Sequence, residues 1–151
     1  MSEPLRSLRS ACRDSRDRLA CTYEAVRFAE NAGLHGRGAL ELGICVAELL
    51  SNTVHHGGGL GTLTLRLLPG SPRIIEVEVE DDGPGIDRPD LALRDGYSRG
   101  AYRVQGAPCA AGPGQGVGLP AVRRFADALE IRNKPGGGTR VIVRKSLAAL
   151  G

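Results

Sequence analysis

A glutamate and an asparagine stand four residues apart in a segment that has the periodicity of an amphipathic helix. Glu48 and Asn52 would lie one above the other on one helix face, a single turn apart. A carboxylate can accept a proton, and an amide oxygen can bind a hard cation. The pair therefore offers a base beside a metal ligand, although a solvated helix face with an incidental Glu and Asn is the alternative.

The helix that must position this pair is predicted over residues 37–58, because apolar residues recur there at steps of three and four. The predicted core-facing stripe consists of Leu40, Ile44, Ala47, Leu50 and Val54. The second, polar stripe consists of Glu41, Cys45, Glu48, Asn52 and His55 or His56. We interpret the histidines as the end of the helix rather than as a metal site, since three glycines follow them.

An acidic glycine motif, Asp81-x-Gly83-x-Gly85, comes directly after a predicted strand. Glycines allow the backbone to turn sharply and a flat ligand to approach closely. The aspartate can accept a hydrogen bond from an exocyclic amine. A Gly-Pro-Gly turn without a ligand is the alternative.

A second glycine motif, Gly114-x-Gly116-x-Gly118, opens a helix at Leu119. Its free backbone N–H groups and the helix N-terminus can surround an anion. Val117 stands where the third glycine of a dinucleotide-binding GxGxxG pattern would fall, and a Walker A Gly-Lys-Ser/Thr is absent. A flexible linker is the remaining alternative, and the immediate helix start argues against it.

The order of predicted helices and strands along the chain indicates an α+β fold, with a layer of helices on a mixed sheet. A helix is expected over 14–32, with Asp14 or Ser15 as its cap and Gly33 at its end. Alternating residues predict strands over 62–68 and 73–80 as an antiparallel hairpin. A helix is expected over 118–128 and a closing hairpin over 129–133 and 139–145, while residues 4–10 form either an edge strand or an irregular arm.

Composition excludes several classes of protein. The net charge is only +3 and aromatic residues make up 3%, so we expect no nucleic-acid partner. No apolar run approaches ~18 residues and no leader is visible, so we expect a cytoplasmic protein without a membrane span. The four cysteines show no regular spacing, which indicates reduced thiols.

The ordered set of motifs resembles the GHKL ATP-binding superfamily of gyrase, Hsp90, histidine kinases and MutL. The resemblance implies a two-layer α/β sandwich, with helices on one face of a mixed, mostly antiparallel sheet. It implies a single domain over 1–151, in which 1–13 form an arm or edge strand and 87–118 an ATP lid.

The resemblance also implies a role for each motif toward ATP and Mg²⁺. Asn52 would ligate Mg²⁺, and Asp81 would bind the adenine amine beside Gly83 and Gly85. Thr139 would support the adenine. The residues that would close over the phosphates are Gly114, Gly116, Gly118 and Leu119.

Within the superfamily, residues 95–98, 118–124 and 135–141 resemble the anti-sigma-factor serine kinases, and most of all the stressosome switch kinase of the RsbT type. By that resemblance Glu48 is the general base that takes the proton of a serine on a STAS-domain antagonist. Residues 99–111 are longer than this group leads us to expect. Arg99 and Arg103 are candidates to neutralise charge on the phosphates, with a solvated loop as the alternative.

These features predict an Mg-ATP-dependent serine/threonine protein kinase of a partner-switching stress-response system. One alternative is an anti-sigma factor that sequesters a sigma factor, and another is a switch that binds ATP without transferring phosphate. A downstream phosphatase is a further candidate partner. The sequence leaves open whether the chain forms a homodimer.

Overall fold

A computed structural model describes residues 3–56, 60–84, 97–98, 101–102 and 118–147. In these residues the chain forms three helices and seven strands. The helices are α1 (Ser15–Ala32), α2 (Gly36–His56) and α3 (Gly118–Phe125). The strands are β1 (Arg6–Cys12), β2 (Gly61–Leu68), β3 (Ile74–Asp81), β4 (Tyr97–Ser98), β5 (Ala101–Tyr102), β6 (Ala128–Asn133) and β7 (Thr139–Ser146).

Five strands form one sheet in the order β1-β2-β3-β7-β6, and β4 pairs with β5 separately. Every described strand pairing is antiparallel. We expected a mixed, mostly antiparallel sheet, and the described residues contain no parallel pair. The predicted hairpin of β2 and β3 is confirmed, with Leu65 opposite Val77. The N-terminal segment is an edge strand rather than an irregular arm, because β1 pairs along its length with β2.

The helices cover one face of the five-stranded sheet, and the core lies between the two layers. Residues of β2 alternate between buried and half-buried positions, with Leu63, Leu65 and Leu67 on the buried face, as expected for a strand with one apolar face. The caps of α1 agree with the prediction: the Asp14 side chain accepts from Asp17 N–H, and Gly33 ends the helix in a left-handed conformation at φ 110°.

The predicted core-facing stripe of α2 is confirmed at Leu50, which is buried, and at Val54, which packs against the core, but it is wrong at two other positions. Leu40 is 68% exposed and Ile44 is 38% exposed. Cys45, which we placed in the polar stripe, is fully buried. The buried residues of α2 are Ala39, Leu42, Gly43, Cys45, Val46, Leu49, Leu50, Ser51 and Thr53. Because α2 packs against α1, α3 and the sheet, apolar residues occupy most of its circumference and no single stripe identifies the core.

Helix α3 ends at Phe125, about one turn earlier than the predicted end near residue 128. The reason lies in the next strand: Asp127 N–H already bonds to the Arg144 carbonyl, and the Asp127 carboxylate accepts from Ser146 N–H. None of the helices in the described part of the chain is long and apolar enough to cross a membrane.

The open face of the sheet carries a ladder of ion pairs. Glu76 lies between Arg66 at 3.0 Å and Arg144 at 2.9 Å. Glu78 lies between Arg66 at 3.5 Å and Arg140 at 2.7 Å. These flanking guanidinium groups bury both carboxylates on a face that no described helix covers.

Candidate functional site

Asp81 is the last residue of β3, and the sheet brings Thr139, the first residue of β7, directly opposite it. Oδ1 of Asp81 accepts hydrogen bonds from Gly83 N–H at 3.0 Å and Thr139 N–H at 3.3 Å. Because Oδ1 is satisfied by two backbone donors, Oδ2 remains as an oriented acceptor. The predicted residues Asp81, Gly83 and Thr139 therefore form one cluster.

The turn between β6 and β7 closes this cluster on its other side. Lys134 N–H bonds to the Gly138 carbonyl, and its ammonium group lies 2.9 Å from the Asp82 carboxylate. Gly138 has φ +96°, and a Cβ at this position would overlap the carbonyl oxygen of Asp81. The backbone of the turn therefore lies directly against the end of β3, which leaves no room for a side chain there.

Burial raises the pKa of the Asp81 carboxyl above its ordinary value of 3.8. The hydrogen bonds from Gly83 and Thr139 and the charge of Lys134 oppose that effect, while the neighbouring carboxylate of Asp82 adds to it. The cluster is thus a half-buried acidic acceptor at the end of a strand, suited to a hydrogen-bond donor on a flat ligand.

Glu48 and Asn52 are both half-buried on consecutive turns of α2, which places their Cβ atoms about 5–6 Å apart. The Oε2 atom of Glu48 is buried, and no residue of the described chain hydrogen-bonds to it. Buried carboxylate oxygens are normally satisfied, so an orphaned one indicates a missing proton donor or cation. Asn52 makes no side-chain hydrogen bond within the described residues.

Ser51, between these two residues, is a feature that the sequence interpretation missed. It is 1% exposed, and its Oγ also has no hydrogen-bond partner among the described residues. A helical serine hydroxyl often bonds to the carbonyl four residues earlier. Here the Ala47 carbonyl accepts a bond from Arg18 Nε at 3.0 Å instead. The only sequence signal for Ser51 was its position beside Asn52.

Leu119 lies in the hydrophobic core with Val122, so any contribution it makes to a ligand site would come from its backbone. Gly118 is the first residue of α3. His55 and His56 are the last residues of α2, as interpreted. The predicted residues that lie outside the described part of the chain are Gly85, Arg99, Arg103, Gly114 and Gly116.

The described residues contain no group of three or more His, Cys, Asp or Glu side chains that could hold a metal. The donors that do fit a magnesium ion are of another kind: an amide oxygen on Asn52 and the phosphate oxygens of a nucleotide. The Oε2 atom of Glu48, one turn away, has no partner among the described residues, so it could face either such an ion or a hydroxyl group that donates a hydrogen bond to it.

The fold, with helices packed on one face of a five-stranded antiparallel sheet, agrees with the α/β sandwich of an ATPase-type nucleotide-binding domain. The sequence profile of the "Histidine kinase-, DNA gyrase B-, and HSP90-like ATPase" family matches residues 38–149, and the chain belongs to this family. The resemblance to the GHKL superfamily is confirmed, and membership implies that the chain binds ATP.

Individual proteins give a finer comparison. The chain is similar to an anti-sigma F factor of Clostridium acetobutylicum, with 24% identity over 111 residues that cover 71% of this chain and 69% of the relative. The fold is similar to that of the mycobacterial sensor histidine kinase MprB, with a TM-score of 0.55, 21% identity and coverage of 93% and 97% of the two chains. It is also similar to a chain of the SiaB–SiaC complex from Pseudomonas aeruginosa, with a TM-score of 0.59, 11% identity and coverage of 91% and 88%.

Proposed function

We propose that the chain is an Mg-ATP-dependent serine/threonine protein kinase that acts in the cytoplasm on a serine of a STAS-domain antagonist. The observation that carries this proposal is the orphaned, buried oxygen of Glu48 one turn from Asn52. A protein that only bound ATP would gain nothing from this carboxylate, and burial without a partner costs stability. The similarity to an anti-sigma F factor supports a role in partner switching.

The proposed reaction transfers the γ-phosphoryl group to a serine hydroxyl. The serine Oγ forms a bond to the γ-phosphorus, the bond from that phosphorus to the bridging oxygen of ADP breaks, and the hydroxyl proton moves to Glu48. Such a transfer depends on positioning and charge neutralisation more than on covalent help from the protein. Asp81 would orient the adenine through its free oxygen, and Thr139 would hold Asp81 through its backbone N–H.

Asn52 is the residue that would hold Mg²⁺, together with phosphate oxygens and water. The ion, when bound, would neutralise charge on the phosphates. Glu48 lies one turn away on the same helix, so the base and the metal ligand share one rigid element. The helix therefore keeps the spacing between the proposed base and the proposed metal ligand fixed, without depending on a loop.

The test is the variant Glu48→Gln, assayed with ATP radiolabelled on the γ-phosphate and a panel of purified STAS-domain proteins from the same organism. We expect phosphate transfer to fall by about 10²–10⁴-fold because the proton acceptor is lost. Binding of a fluorescent ATP analogue should stay within a factor of about two. The matched control is Glu30→Gln, which removes an exposed carboxylate of α1 and should keep full activity.

Equal transfer by Glu48→Gln and the wild type would overturn the assignment of the base. ATP binding without transfer to any member of the panel, in the wild type, would contradict the kinase proposal and leave a nucleotide-dependent switch.

A second candidate function is the sequestration of a sigma factor, because the related Clostridium protein is named an anti-sigma factor. This function predicts a stable complex with a purified sigma factor in size-exclusion chromatography. A chain that binds STAS-domain proteins but no sigma factor would contradict it.

A further inference from the structure

Strand β1 is the outer strand of the five-stranded sheet, with β2 on one side and no described strand on the other. In an antiparallel edge strand, alternate residues direct their N–H and C=O groups away from the sheet. Six of the seven residues of β1 are exposed or half-exposed, and only Cys12 is buried. The edge therefore presents a row of hydrogen-bonding groups that a further strand could use.

A groove of about 400 Å³ lies beside this edge, between β1 and α1. Leu8 at 39% exposure and Tyr23 at 64% exposure form its apolar part. Side chains of one face of an added strand would point toward α1, as those of β1 do, and would enter the groove. Apolar side chains of moderate size are suited to these two residues.

The charge around the edge is net positive. Arg6 lies 5.5 Å above the Phe28 ring, and Arg27 lies 5.8 Å from the Tyr23 ring. Within the described residues neither of these arginines, nor Arg9 on β1, forms an ion pair with a carboxylate. The arginines on the open face of the sheet differ, since Arg66, Arg140 and Arg144 are each paired.

Glu24 is the carboxylate among the groove residues, and it accepts a hydrogen bond from Ser10 Oγ at 2.7 Å. Its single negative charge is outnumbered by those of Arg6, Arg9 and Arg27, so the rim stays net positive. Antiparallel self-pairing of two β1 strands over their full length would bring Arg9 opposite Arg9, and like charges directly opposite each other are unfavourable. The positive rim therefore favours an acidic partner over a second copy of this chain.

We propose that the β1 edge is a docking site for an extended, acidic segment of a partner protein, which adds to the sheet as a sixth strand. On the side toward α1 the segment carries an acidic residue for Arg6 and Arg27 and apolar residues for Leu8 and Tyr23. On its opposite side it carries an acidic residue for Arg9, which lies on the other face of β1. The site lies apart from the nucleotide cluster: β1 is separated from β3 by β2, and Arg6 lies at the opposite end of the strands from the level of Asp81. The proposal is therefore independent of the kinase activity.

The test uses a synthetic peptide of seven residues, the length of β1, that is designed for antiparallel pairing with this strand. It has valine opposite Leu8 and Ser10, glutamate opposite Arg6 and Arg9, and threonine at the other positions. Binding is followed by amide chemical shifts and hydrogen exchange of the ¹⁵N-labelled full-length chain. We expect shifts concentrated in β1 and its neighbours in α1, and slower exchange of the outward amides of β1. The double variant Arg6→Gln with Arg27→Gln should weaken binding by about three- to tenfold.

Three controls separate the contributions. The variant Arg37→Gln removes an arginine that is 88% exposed on α2, and it should leave peptide affinity unchanged. The same peptide with alternate amides N-methylated cannot complete the ladder and should not bind. A peptide with lysine in place of glutamate should bind at least tenfold more weakly, because its charges repel the rim.

Absence of β1 shifts at the highest soluble peptide concentration would overturn the proposal. Equal affinity for the N-methylated peptide would mean that backbone hydrogen bonds do not contribute to binding. Equal affinity for the lysine peptide would mean that the arginines do not contribute. Either result contradicts the proposal. A concentration-dependent dimer in sedimentation analysis that disappears in the arginine variant would instead place a second copy of this chain on the edge, and would also overturn it.

Discussion

Asp81 illustrates at the residue scale how a candidate ligand group can lower stability. Its raised pKa shows that the folded environment disfavours the charged carboxylate, chiefly through burial. A group of this kind contributes stability that is fully present below its unfolded pKa and is lost as pH rises through the folded pKa. At neutral pH the ionised carboxylate is therefore a net cost to the folded domain, which a bound ligand would offset.

We predict opposite effects of Asp81→Asn on binding and on stability. An asparagine oxygen can still accept from Gly83 and Thr139, but the free position would then carry an N–H₂ donor, which would face the adenine amine in the proposed site. Binding of a fluorescent ATP analogue should fall at least tenfold. The nucleotide-free variant should be more stable at pH 7, by less than about 1 kcal/mol, because the half-buried carboxylate keeps some hydration.

Urea denaturation across pH tests the sign of the stability effect. The advantage of the variant should disappear as the pH falls below 3.8, where the aspartate is protonated in both states. The control Glu30→Gln removes an exposed carboxylate of α1 and should leave nucleotide affinity unchanged. A variant that keeps full affinity would remove Asp81 from the site.

At the scale of single elements, the turn between β6 and β7 shows why one glycine is required and another is not. Gly138 has a positive φ, and a side chain there would collide with the backbone at the end of β3. Gly136 has φ +85° in open space, so a side chain there meets only conformational strain. The two glycines share a turn and differ in what they face.

We predict that Gly138→Ala lowers the free energy of unfolding by at least about 3 kcal/mol, because the Asp81 carbonyl and the neighbouring backbone must move. Gly136→Ala should cost only about 1 kcal/mol, the usual cost of a left-handed alanine. Chemical denaturation measures both. Equal costs for the two variants would contradict the close packing of the turn on β3.

The accuracy of prediction from sequence also differs between elements. Strands β2 and β3 could be predicted because each has one apolar and one polar face, and alternation reports that directly. The ends of α1 could be predicted because Asp14 and Gly33 act locally. The orientation of α2 could not, since it is covered on several sides and the residues that decide which face is open belong to distant elements. Leu40 and Ile44 satisfy the helical period and still face solvent.

At the scale of the whole molecule, the sheet assembles the site from segments that are distant in sequence. The pairing of β3 with β7 joins Asp81 to Thr139 across 58 positions. The order of the motifs along the sequence could predict that Asp81 and Thr139 belong to one site, because the whole set resembles that of a known superfamily. It could not predict the contact of Lys134 with Asp82, or the orphaned hydroxyl of Ser51, since both depend on how separate elements pack.

A buried lysine links three of these elements. The Lys145 ammonium group on β7 lies 3.1 Å from the Glu41 carboxylate on α2 and donates at 2.8 Å to the Phe125 carbonyl at the end of α3. The helix C-terminus is thereby satisfied by a positive charge, which the partial negative charge of the helix end favours. Lys145 thus fixes α3, which begins at Gly118, relative to the helix that carries Glu48 and Asn52.

We predict that Lys145→Met lowers the free energy of unfolding by about 2 kcal/mol. Removing Lys145 leaves the Phe125 carbonyl without this donor and leaves Glu41 with only the exposed Arg37 at 3.6 Å. The effect is reduced because the Glu41 side chain is 21% exposed. The double variant Glu41→Gln with Lys145→Met should recover part of the loss, because no carboxylate that has lost its buried partner then remains. Urea denaturation of the single and double variants gives the coupling energy between the two side chains. Strictly additive effects would mean that the two groups do not interact, and that packing alone holds α3 against α2.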